Sequence, residues 1–82
     1  MNKESLLYRP NFTLDCCGQL CPVPIIMTEE KIGDLKKHEV LEVIFTDPGA
    51  TPDLTAWCKA SGHTLLGILD GDLKSFAYIK RK

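Results

Sequence analysis

The sequence predicts an α/β domain in the order β-α-β-α-β-β, a mixed four-stranded sheet with two helices on one face. Three observations predict it. The run Val40, Leu41, Val43, Ile44 and Phe45 has the β-branched and aromatic character of a strand. Prolines at 22, 24 and 52 mark two helix starts, because a proline fits the first turn of a helix but not its interior. Strand-helix-strand crossovers are right-handed and join parallel neighbours, so two in succession put both helices on the same side of the sheet.

Each element can be justified in turn. Residues 1–11 mix polar and apolar side chains and end at Pro10-Asn11, so they read as an N-terminal extension, mobile or laid along an edge, ahead of a domain spanning 12–82. A short strand covers 12–15. The first helix is expected over about 22–36, with Ile25, Thr28, Ile32 and Leu35 at spacings of three and four on the buried face. Val23 and Met27 fall roughly opposite that stripe and form an exposed apolar spot. The second strand is expected over 40–46, with Leu41, Val43 and Phe45 on one face. The second helix is expected to take Thr51 as N-cap, Pro52 as first helical residue and Gly62 as left-handed C-cap, turning Leu54, Trp57 and Cys58 inward. Strands over 65–69 and 73–79 follow, joined by a tight turn at Asp70-Gly71-Asp72.

Composition bounds the function. In 82 residues there is room for one small domain, and 44% hydrophobic with 26% charged residues is a globular balance rather than a disordered one. A formal net charge of −1 lacks the basic field that neutralises phosphates, which excludes direct nucleic-acid binding as the leading reading. No apolar stretch is long enough for a signal-peptide core or a membrane span, so a cytoplasmic protein without membrane contact is expected. In that reducing compartment the four cysteines are expected to be reactive, metal-binding or buried rather than paired.

The chemistry concentrates in Gly18-Gln19-Leu20-Cys21-Pro22-Val23-Pro24. Gly18 lets the chain turn sharply out of the first strand, and Pro22 and Pro24 start the helix. Cys21 then stands beside a helix N-terminus, where free N–H groups and the helix dipole favour an anion. Parallel strands bring the loop over 16–21 and the loop over 47–51 to one edge, so both helix starts are expected to lower the Cys21 pKa. His38 and His63 precede strands and belong to the opposite edge, which excludes a catalytic Cys-His pair. Of the adjacent Cys16 and Cys17, one faces the core and the other is a possible second thiol beside Cys21. Cys58 reads as core. The cysteine spacing lacks paired C-x-x-C units, so no metal site is expected.

Leu14-Asp15 followed by Gly18-x-x-Cys21-Pro22-x-Pro24, with Thr46-Asp47-Pro48, Trp57-Cys58, Gly62-His63-Thr64-Leu65 and a basic C-terminus, resembles the TusA/SirA-like sulfur carriers. The resemblance covers about residues 12–82. It implies a two-layer sandwich with sheet order 1-2-4-3 and an antiparallel last strand. It also implies a sulfur carrier that holds sulfur as a persulfide on Cys21, with no cofactor. A donor such as a cysteine desulfurase or other sulfurtransferase would load it, and an acceptor sulfur-relay protein would unload it, toward tRNA thiolation, sulfur oxidation or cofactor biosynthesis. The chain departs from the family at Cys17, where relatives often carry arginine, and at Glu29 and Glu30, where relatives often carry basic residues. Two other readings stand beside the carrier: a thiol-disulfide module using Cys17 and Cys21, and a non-catalytic interaction domain.

Overall fold

The computed structural model describes residues 8–82. Its elements are β1 (Phe12–Cys16), α1 (Val23–Ile32), β2 (Val40–Phe45), α2 (Ala50–Ser61), β3 (Thr64–Asp70) and β4 (Ser75–Lys80). They form one four-stranded sheet in the order β1-β2-β4-β3. β1 and β2 are parallel, and β4 runs antiparallel to both β2 and β3. The element order, the mixed sheet and its strand order agree with expectation.

Alternation along β2 divides its side chains between two faces. Leu41, Val43 and Phe45 are buried in the core, as are Ala77 and Ile79 of β4, and Leu54 and Cys58 of α2 close over them with Ile32 and Leu35. Thr28 is fully buried and donates its hydroxyl to Pro24 O at 2.7 Å, which satisfies the only polar atom that side chain brings inside. On the opposite face Glu42 lies buried, accepting from Tyr78 Oη at 2.6 Å and from Thr13 Oγ1 at 3.0 Å. Tyr8 stacks on Tyr78 with ring centroids 4.4 Å apart. Asn11 exchanges hydrogen bonds with the Val40 backbone at 2.8 Å in each direction. The extension expected over 1–11 is thus tied to the sheet from Tyr8 onward, and its first seven residues lie outside the described residues.

Several boundaries differ from expectation, each for a local reason. α1 ends at Ile32 rather than near Lys36, because Gly33 is a poor helix former and the chain tightens there, with Asp34 N–H bonding Lys31 O and Leu35 N–H bonding Ile32 O. α2 begins at Ala50, one residue before the expected cap Thr51. Asp47 takes over the capping, its carbonyl accepting from Ala50 N–H and its carboxylate from Gly49 N–H. Pro52 is therefore the third helical residue, still within the turn where its missing N–H costs nothing. Gly62 does adopt the left-handed cap, with φ of 87°. The link from β3 to β4 is a four-residue loop over 71–74 rather than a tight turn, closed by Gly71 N–H to Lys74 O, with Leu73 89% exposed at its tip. Of the two residues expected to form an outward apolar spot, Val23 is exposed, but Met27 packs partly against the core.

Candidate functional site

β1 and β2 end side by side, Cys16 opposite Phe45 in the register, so the segments that follow them meet at one edge of the sheet. Two hydrogen bonds fasten them. Gly18 N–H donates to Thr46 Oγ1 at 2.8 Å, and Cys21 N–H donates to Asp47 Oδ2 at 2.8 Å. Gly18 makes its contact with φ of 81°, a conformation that a side chain would strain. The Cys21-Pro22 peptide is cis, and Pro22 and Pro24 flank the first residue of α1. Cys21 is half-buried, one residue ahead of the helix cap.

The electrostatics at Cys21 run opposite to the expectation from helix ends. The thiol is pushed up to about 12, by burial first and then by the nearby carboxylates of Asp53 and Asp47. The reason lies in the prolines and in Asp47. At the start of α1, Val23 N–H is bonded to Leu20 O, Ile25 and Ile26 N–H to Pro22 O, and Pro24 has no N–H to offer. At the start of α2, Gly49 and Ala50 N–H are held by Asp47, and Pro52 has none. At the start of α1 the donors that would have stabilised a thiolate are thus occupied or missing. Asp47 is held below the usual carboxylate range by the N–H groups of Cys21 and Gly49, so it stays charged next to the sulfur. Neither aspartate was singled out by sequence reasoning for a role. The available signal was the position of Asp47 at a strand end and of Asp53 in the first turn of the helix that follows.

The other candidates separate as follows. Cys16 is fully buried in the core, and burial, Asp15 and Cys17 push its thiol up to about 11. Cys17 is half-buried at the same edge as Cys21, its N–H bonded to Asp15 Oδ1 at 2.9 Å, and its thiol is raised by burial and by Asp15. Cys58 is buried, and burial alone pushes it up to about 11. All four cysteines are free. His38 donates its N–H to Arg81 O, and His63 Nδ1 accepts from Lys82 N–H with its ring 5.3 Å from that of Trp57. Both therefore lie at the edge remote from Cys21. Among the described residues no group of three or more His, Cys, Asp or Glu side chains is arranged to hold a metal ion. No helix among them is long and apolar enough to cross a membrane. Around Cys21, Leu20 is 73% exposed and Ile26 49%, so the apolar surface next to the thiol is built from these two and Val23.

The profile of the family described as "Sulfurtransferase TusA" matches residues 12–81. The chain belongs to the TusA family. Among its relatives, "Putative sulfur carrier protein YrkI" of Bacillus subtilis is 47% identical over 64 residues, covering 77% of this chain and 85% of the relative. "Putative sulfur carrier protein" of Aquifex aeolicus is 45% identical over 69 residues, covering 84% of this chain. The chain spans about one third of the length of two of these relatives: 35% of the Aquifex protein and 33% of "Putative sulfur carrier protein YrkF" of Bacillus subtilis. A SirA-like protein from Desulfitobacterium hafniense has the same fold, with a TM-score of 0.75 at 22% identity, covering 84% of this chain and 95% of that one. Within this TusA-family domain, Cys21 is the cysteine of the motif that carried the resemblance in the sequence.

Proposed function

We propose that this TusA-family domain is a sulfur carrier that holds sulfane sulfur as a persulfide on Cys21 and passes it to a cysteine of an acceptor protein. One observation carries the reading: the motif cysteine is half-buried rather than enclosed, in a loop whose backbone is fastened to the neighbouring loop at Gly18 and Cys21. Such a sulfur can be offered to another protein without a substrate pocket. In loading, the Cys21 sulfur attacks the terminal sulfur of the donor's persulfide. The new S–S bond forms at Cys21 as the donor's S–S bond breaks. The donor cysteine leaves with the electron pair of that bond and takes up the proton that Cys21 gives up. Unloading is the same exchange with the acceptor cysteine as nucleophile, so no net oxidant or reductant is consumed.

The site chemistry suits a carrier more than a catalyst. A thiol stored in its protonated form reacts slowly with stray electrophiles, and an S–S bond of about 2 Å moves the outer sulfur of a persulfide beyond the attachment atom. A sulfurtransferase or cysteine desulfurase is the donor class, and a cytoplasmic sulfur-relay protein the acceptor class. Incubation with a cysteine desulfurase and cysteine, read by intact mass, tests the proposal. A gain of one sulfur atom by the wild type and none by Cys21→Ser is the expected result. Equal gain in both proteins refutes the site, and a loss of two hydrogens after oxidation, abolished by Cys17→Ser, would instead favour a Cys17–Cys21 redox pair.

A further inference from the structure

The outward side of α1 beside Cys21 is apolar at first and acidic one turn later. Val23, Ile26 and Glu30 stand at spacings of three and four, so they share one helix face, and Glu29 follows Ile26 by three. All four are exposed, Val23 at 38% and Ile26 at 49%, and Leu20, immediately before Cys21, is 73% exposed. The opposite side of the same helix faces the core through Pro24, Thr28 and Ile32. Lys31, the one cation of α1, is turned toward β1, its ammonium 5.1 Å from the centre of the Phe12 ring.

These groups lie where a partner must land. For one S–S bond to form at Cys21 as another breaks, the partner's sulfur has to touch the Cys21 sulfur, which is half-buried in a loop fastened to its neighbour at Gly18 and Cys21. A protein that brings a persulfide to this loop meets Leu20 and Val23 within two residues of the thiol. From Val23 the helix carries the contact past Ile26 to Glu29 and Glu30, a rise of about 10 Å.

We propose that Leu20, Val23 and Ile26, bounded by Glu29 and Glu30, form the docking surface for the protein that loads Cys21, and that this donor presents apolar side chains beside its persulfide and basic ones farther out. The inference rests on Cys21 being the sulfur acceptor. Charge decides the occupant: a basic surface is attracted by two exposed carboxylates at the rim and an acidic one is repelled, while the apolar centre supplies the burial. The exchange is unchanged: the new S–S bond forms at Cys21, the donor's S–S bond breaks, and the donor cysteine takes up the proton that Cys21 gives up.

Synthetic peptide persulfides stand in for the donor. One has leucines on both sides of the persulfide cysteine and lysines four and five residues after it; a second has glutamates in place of the lysines, and a third has serines in place of the leucines. Sulfur gain at Cys21 is timed by intact mass on Cys17→Ser, each rate being taken relative to free cysteine persulfide, which is too small to span Ile26 and the glutamates. The expected result at low salt is loading by the lysine peptide about tenfold faster than by the glutamate peptide. It should also be about fivefold faster than loading by the serine peptide. Glu29→Lys/Glu30→Lys should reverse the first preference, and Ile26→Ser should shrink the second. Salt at about 1 M should abolish the charge preference and leave the apolar one. Equal rates for the three peptides, with free cysteine persulfide still loading Cys21, overturn the docking surface and leave the carrier standing. No sulfur gain from any of the persulfides overturns the carrier and the docking surface with it. A dimer in sedimentation that Ile26→Ser dissociates would assign the face to a second copy of this chain and likewise overturn the inference.

Discussion

The reactivity of Cys21 toward an uncharged disulfide reports on its burial and on the two aspartates beside it. A thiol with its ordinary value of 9.0 is about one-tenth ionised at pH 8, and one held at about 12 is ionised in about one molecule in ten thousand, roughly a thousandfold less. Part of that loss returns, because a more basic thiolate is a better nucleophile. With a Brønsted coefficient of about 0.4–0.5, three pH units return roughly twentyfold. The net expectation is an exchange with dipyridyl disulfide about fiftyfold slower at pH 8 than for a cysteine peptide. Its rate should rise about tenfold per pH unit without levelling before pH 10. The measurement is made on Cys17→Ser, which leaves Cys21 as the accessible thiol because Cys16 and Cys58 are buried. Asp53→Asn removes one nearby carboxylate and should bring the inflection down. A plateau below pH 9 in the parent would mean that the helix N-termini govern the sulfur and that the two carboxylates do not.

Four further outcomes follow from particular contacts. Asp47→Asn should lower the urea midpoint more than Asp53→Asn, because Asp47 accepts N–H bonds from both Cys21 and Gly49 and an amide can accept only one of them well. Gly67→Ala should destabilise by about 1–3 kcal/mol, since a Cβ there would stand 2.5 Å from Tyr8 Oη; in a Tyr8→Ala background the cost should disappear, and an unchanged cost would refute the Tyr8 contact. Cys58→Ala should lose about 1–2 kcal/mol from the cavity it leaves while sulfur loading persists, as intact mass will read. Alkaline unfolding gives a sign test: the thiols of Cys16 and Cys58 lie at about 11 when folded against an ordinary 9.0, so the folded state holds more protons between those values. Stability contributed by these protonated thiols is complete below pH 9 and is lost as pH rises through 11, and a Cys58→Ala protein should show a shallower fall.

Much of this fold was legible because its signals are local. Val40 to Phe45 reads as a strand in any window, Gly62 announces a left-handed cap, and two strand-helix-strand crossovers leave few topologies to choose from. Strand ends and helix starts differ by one or two residues, that of α2 because Asp47 bonds the Gly49 and Ala50 N–H groups, and the end of α1 differs by four because the chain tightens at Gly33. Thr51 and Pro52 have the right composition for a helix start, and nothing in their immediate neighbourhood says that Asp47 will take the Gly49 and Ala50 N–H groups first. The apolar spot near Cys21 was misassigned at Met27 for a related reason. Spacing alone puts Val23, Ile26 and Met27 close together on the helix, and only the packing of α1 on the sheet decides that Met27 turns inward while Ile26 stays 49% exposed.

The sign of the charge effect on Cys21 could not be read from the motif, because the same prolines that mark a helix start also remove the donors that would activate a thiol. A helix N-terminus favours an anion through N–H groups that have no partner. Prolines at 22 and 24 make the helix start recognisable, but each removes a donor, and the N–H groups of Val23, Ile25 and Ile26 are closed onto Leu20 and Pro22 carbonyls. What remains near the sulfur is whatever side chain the fold delivers, and it delivers Asp47 from a residue 26 positions away. That carboxylate performs two tasks at once: it fixes the Cys21 backbone through a 2.8 Å hydrogen bond, and it adds to the burial and the Asp53 charge that keep the thiol protonated. The two tasks predict different responses to one change. A variant that keeps the N–H acceptor but loses the charge should hold the loop in place while lowering the thiol pKa, whereas one that loses the acceptor should loosen the loop as well. Asp47→Asn and Asp47→Ala separate them. If both variants give the same thiol titration and the same amide exchange at Cys21, positioning and charge are not separate roles of Asp47.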